Sequence, residues 1–269
     1  MKNAVIAAVV VILVIIAGAG YFLFREPEAA SGPMQAVPID QSSASAASQP
    51  TEAATEPAAT QAVEPSPTEL AETETTEPET TDAPASSEPA ATAQLFEIVA
   101  NESEARFVIE EVLRGADVTV VGKTSMIAGQ IEINPSDLSS TRLGVIQVNA
   151  RDIATDNNMR NRAIKNFILD TNTFEFVTFT PVELVGLPAS ASVGDTVNFQ
   201  IVGDLTIKDV TKRVTFDAQV TAVSETRVEG SASTSFPYRD FNLAIPDAPM
   251  VDTVADDVKL EIDFVATAL

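Results

Sequence analysis

The chain has 269 residues, with 39 acidic against 16 basic side chains, a formal charge of −23, and no cysteine, histidine or tryptophan. That inventory excludes Ser-His and Cys-His nucleophiles, thiolate and imidazole metal sites, disulfides and iron–sulfur clusters. The acid excess repels phosphate backbones, so nucleic acid is not an expected partner.

The first element is Ala4 to Phe24, AVIAAVVVILVIIAGAGYFLF, which carries no charge over 21 positions. At about 1.5 Å per residue it makes roughly 31 Å of helix, the thickness of a bilayer core, and it predicts a transmembrane helix. The competing reading is a cleavable signal with Ala17-Gly18-Ala19 as its small-residue site; the apolar run continues beyond that site and favours an uncleaved anchor over residues 1–25. The long acidic stretch that follows favours an exported C-terminal side, so the expected location is the cell membrane, single-pass, with the C-terminal domain extracytoplasmic.

Residues 26–93 hold 13 acids, no basic or aromatic residue and 10 of the 16 prolines. Such a segment buries too little apolar area to offset the entropy of ordering it, which predicts a disordered, extended linker.

The remaining residues, 94–269, suit one domain. Their pattern has period two. In TVNFQIVGDLTIK, Val197, Phe199, Ile201, Leu205 and Ile207 share one face; in VTFDAQVTA, Val214, Phe216, Ala218, Val220 and Ala222 do the same. Phe107 and Ile109, Ile146 and Val148, and Ile262 and Phe264 repeat the alternation elsewhere. Eight or more short strands predict an antiparallel meander, barrel or sandwich. DNNMRNRAIKNFILD breaks the rule: Met159, Ala163, Ile164 and Phe167 have helical spacing after an Asp156-Asn157-Asn158 start, which suits a barrel lidded at one end. The adjacent carboxylates Glu110-Glu111 and Asp256-Asp257 point to opposite faces if they lie on strands, so the chain is not expected to be an enzyme.

Four signatures, in order, resemble those of the YceI-like family. They are ARDIATDNNMRNRAIKNFILD, GDLTIKDVTKRVTFD at 203–217, RDFNL at 239–243 and VADDVKLEIDFVA. The sequence departs from the family pattern at Ala163 and at Glu102 and Glu111, where histidine is common, and at Asn161, where aspartate is usual. The resemblance implies an all-β, lipocalin-like, antiparallel up-and-down barrel of about eight strands with one short helix, here preceded by a transmembrane helix and a disordered linker. It also implies a polyisoprenoid or quinone-like lipid held in an apolar pore, with no other cofactor. The expected lining is Phe107, Ile109, Ile146, Val148, Phe199, Ile201, Phe216, Ile262 and Phe264. Arg160, with Arg162 and Lys165, is placed either to meet an anionic headgroup or on a solvated helix face. The expected function is a membrane-tethered, extracytoplasmic lipid-binding protein that sequesters or transfers isoprenoid-like chains; a homodimer is compatible with it. The alternative is a structural or adhesive barrel with a filled core and no ligand.

Overall fold

The computed structural model describes residues 26–39, 93–248 and 251–269. Two interrupted strands open the domain. The first consists of β1 (Gln94–Ile98) and β2 (Glu104–Leu113), parted by a 3-10 turn at Ala100–Glu102. The second consists of β3 (Ala116–Thr124), β4 (Ile127–Ala128) and β5 (Gln130–Ile133). Two short segments follow, β6 (Arg142–Leu143) and β7 (Ile146–Asn149), and then α1 (Asn158–Ala163), which runs into a π-helical turn at Ile164–Ile168. Four long strands, β8 (Phe176–Val185), β9 (Thr196–Ile207), β10 (Val210–Ser224) and β11 (Arg227–Pro237), lead to β12 (Val251–Val254) and β13 (Asp257–Ala268).

All thirteen strands belong to one antiparallel sheet. β13 joins the end of the domain to its first strands, pairing Ala266 with Ile98 on β1 and Ile262 with Ala105 on β2, while β11 lies along its other edge. Ser103 bridges the break between β1 and β2: its hydroxyl donates to Val99 O at 2.9 Å and accepts from Val265 N at 3.1 Å. The two ends of the ladder path, β4 and β6, are held near each other by chain continuity. Gly129 alone separates β4 from β5, and Gly144 and Val145 separate β6 from β7.

The β9–β10 hairpin shows why the strands form. Its register sets Ile201 opposite Phe216 and Phe199 opposite Ala218, so both apolar faces fall on the same side. Lys208 and Asp209 make a two-residue turn between the Ile207–Val210 pair, with Lys208 at φ 58, the left-handed geometry that a tight hairpin demands. At α1, Asn157 caps the helix by accepting from Met159 N at 2.9 Å and Arg160 N at 3.2 Å.

Two expectations are corrected. In place of an up-and-down barrel of about eight strands there is, in the domain as described, an antiparallel half-barrel of thirteen strand segments with one short helix, α1. The reason is local: the 3-10 turn and the short connections at 125–126 and 129 cut what the apolar pattern leaves continuous. Second, no helix among the described residues is long and apolar enough to cross a membrane, and the span expected at 4–24 lies outside them. Spanning needs about 20 apolar residues; α1 has 6. The transmembrane anchor, the membrane as partner through an N-terminal helix, and single-pass placement in the cell membrane with an extracytoplasmic domain therefore have no support in the structure.

Of the expected linker, 40–92 lies outside the described residues, while 26–39 runs over the domain as a strap. Ile39 is buried, in the space left by the missing side chain of Gly144. Glu28 pairs with Arg151 at 3.0 Å, and Glu28 N donates to Asn172 Oδ1. Glu175 Oε1 accepts from Ser31 N at 2.7 Å, from Ser31 Oγ at 2.5 Å and from the fully buried Asn149 at 2.8 Å. Burial alone would raise the Glu175 pKa, but these hydrogen bonds and the charge of Arg151 together hold it below the usual carboxylate value. The strap contact contributed by this carboxylate is therefore fully present above the ordinary carboxylate range and is lost as pH falls through the lowered pKa. Limited proteolysis of the full chain should find the strap protected at neutral pH and cut faster on acidification, and Glu175→Gln should expose it already at neutral pH. Equal cutting rates in all three conditions would show that Glu175 does not hold the strap.

Candidate functional site

Among the described residues, the sheet surrounds two adjoining cavities. The larger, about 680 Å³, is walled by Phe96, Ile98, Ile131, Leu143, Leu184, Phe199, Ile201, Ala218, Val228 and Phe264, among others. Its lining runs out to exposed residues at the strand ends, Val193, Asp195 and Glu225, which form a mouth. Among the described residues, Asp195 and Glu225 are the only charged ones in that lining. The smaller cavity, about 210 Å³, lies under α1 and its π-helical turn, which contribute Arg160, Ile164 and Ile168. Ile146, Phe179, Phe216 and Ile262 line both, so the two cavities meet there.

The expected lining residues all reach this interior, but not one chamber. Phe199, Ile201 and Phe264 face the larger cavity, Phe107, Ile109, Val148 and Arg160 the smaller, and Ile146, Phe216 and Ile262 the junction. The alternation of the strands could not divide them, because the division runs across the sheet.

The YceI-like domain profile matches residues 96–266. The chain belongs to the YceI-like family. Among solved structures it is similar to a polyisoprenoid binding domain from Saccharophagus degradans implicated in plant cell wall breakdown, at 14% identity and a TM-score of 0.52, covering 65% of this chain and 98% of that one. It is also similar to BcnA from Burkholderia cenocepacia, at 19% identity and a TM-score of 0.51, covering 63% and 99%. At those identities the likeness establishes the fold. No curated protein matches the sequence. As a YceI-like protein the chain is non-catalytic. Among the described residues there is no cluster of three or more carboxylates able to hold a metal.

At the lidded end, Arg160 is engaged within the YceI-like domain itself. Arg160 pairs with the buried Glu111 at 2.7 Å and with Asp156 at 2.6 Å. Burial pushes the Lys165 ammonium pKa down against the opposing pull of Asp152. Neither Arg162 nor Lys165 lines a cavity. The Glu111–Arg160 pair thus lines the small chamber, and histidine at position 111 would have left this arginine paired with the exposed Asp156 rather than with a buried carboxylate. Nearby, Tyr238 is buried in the wall of the small cavity, with the Arg239 guanidinium 4.9 Å from its ring centroid.

Sequence reasoning missed Phe96, Ile98, Phe179 and Leu184. β1 is only five residues long, and β8 carries a register shift between Pro181 and Glu183, so neither keeps a clean alternation. Sequence reasoning also missed the role of two glycines. Gly122 faces Phe107 across β2–β3, and Gly230 faces Phe264 across β11–β13. A Cβ on Gly122 would overlap the Phe107 ring; one on Gly230 would stand 2.8 Å from Phe264 Cζ and 2.7 Å from Gln219 O. Each ring occupies the space beside its glycine that a side chain there would take.

Gly122→Ala displaces only a ring, which has the small cavity to turn into, whereas Gly230→Ala also strikes backbone. Gly230→Ala should therefore lose about 1–3 kcal/mol in equilibrium urea unfolding, and Gly122→Ala distinctly less. Equal losses would contradict this account of the rings.

Proposed function

We propose that this YceI-like domain binds a single apolar lipid chain of the isoprenoid type, a polyprenyl or quinone tail, in its larger cavity, for sequestration or transfer. The observation that carries the reading is a cavity of about 680 Å³ whose wall is almost wholly aliphatic and aromatic, a size within the roughly 300–1,000 Å³ typical of small-molecule sites. Ala218 and Ala222 lie in that wall, where larger side chains would fill the hollow. The filled-core scaffold accordingly loses its main premise. Family membership and the relative described as a polyisoprenoid binding domain point the same way.

The driving force is removal of methylenes from water, at about 0.8 kcal/mol each, less the cost of ordering the chain. The head is a separate matter. At the mouth it meets Asp195 and Glu225 and, among the described residues, no basic one, which favours an uncharged head over a diphosphate.

Titration of the full chain with farnesol and with farnesyl diphosphate should show tighter binding of the alcohol, with the gap narrowing as salt rises. The double variant Asp195→Asn, Glu225→Gln should improve diphosphate binding. Ala218→Phe, which fills the cavity from its wall, should weaken farnesol by tenfold or more. Failure of both compounds to bind would overturn the lipid reading, and tighter binding of the diphosphate would overturn the uncharged head.

A further inference from the structure

The interior is not one tube. Phe179 on β8 and Phe216 on β10 reach toward each other past β9, with ring centroids 5.0 Å apart and an interplanar angle of 68°, an edge-to-face contact. Both are buried, at 7% and 5% exposure. The strand between them makes room: the Phe179 ring lies over Gly203, where a Cβ would overlap it and stand 2.6 Å from Thr180 O. Ile146, paired with Phe179 across β7–β8, and Ile262 from β13 complete a constriction where the two cavities meet.

We infer that this constriction is a stop: the Phe179–Phe216 pair ends the tail-binding chamber and sets the longest chain the protein takes with full benefit. The inference rests on the lipid-binding reading and adds to it a specificity determinant. A tail entering at the Asp195–Glu225 mouth gains from every methylene until it meets the rings. Beyond them lies a space of about 210 Å³, below the roughly 300 Å³ at which small-molecule sites begin. To use that space the chain must part an edge-to-face pair whose geometry is itself favourable. A longer tail therefore gains nothing by entering and leaves its surplus carbons in water outside the mouth.

The test is a length series of unbranched primary alcohols, from about eight to eighteen carbons, titrated into the full chain by calorimetry. Each carbon should tighten binding by about fourfold, which is 0.8 kcal/mol per methylene, up to a break beyond which affinity is flat. In Phe179→Leu and, as an independent second variant, Phe216→Leu, the break should move to longer alcohols by several carbons. Uninterrupted gain in the parent protein would overturn the stop, even if neither variant folded. A break at the same length in a folded variant would overturn it equally. Parent protein that binds no alcohol of any length would instead sink the lipid reading on which the stop depends.

Discussion

Strands whose apolar faces converge on a space too wide for their own side chains to fill are the condition on which the rest of this domain depends. Protein interiors pack as densely as organic crystals, and a void forfeits the contacts its lining would have made. A hollow of this size is a standing cost unless something occupies it. Here it is maintained by construction: Phe107 and Phe264 lie over Gly122 and Gly230, Phe179 lies over Gly203, and alanines rather than leucines stand at 218 and 222. Large rings supply wall without supplying plug.

Electrostatics closes what packing leaves open. The lid is pinned by Arg160 between Glu111 and Asp156, and the seam joining β2, β3 and β13 by Arg106 among Glu261, Asp263 and Glu104, with Lys123 and Lys259 beside it. Hydrogen bonds from the Lys259 ammonium and the Arg106 guanidinium hold the Glu261 carboxyl below its ordinary pKa. Such exposed pairs contribute little to stability singly. Their position matters more: they lie along the strand that joins the end of the domain to its first strands.

Much of the fold was legible in the sequence because strand alternation is a local property. Phe199, Ile201, Phe216 and Ala218 declared their common face, and Asn157 announced the helix it caps. The four ordered signatures carried the family. What escaped was relational. Nothing in the period of a strand says that Phe107 and Phe199 line different chambers, since that boundary is set by Phe179 and Phe216 from strands flanking β9. The strap at 26–39 escaped because its composition reads as solvated chain, while its anchorage comes from Arg151, Asn149 and Glu175 some 110 to 150 residues away. The inference of a membrane helix came from uninterrupted hydropathy alone, and no described element supports it.

The place of Tyr238 has an optical consequence. The chain has no tryptophan and only two tyrosines, the other being Tyr21 in the N-terminal apolar run. Emission from the domain excited beyond the absorption of phenylalanine therefore arises from a single phenol embedded in the wall of the inner chamber, beside a guanidinium. The domain carries an intrinsic lamp in the wall of that compartment, with no dye attached.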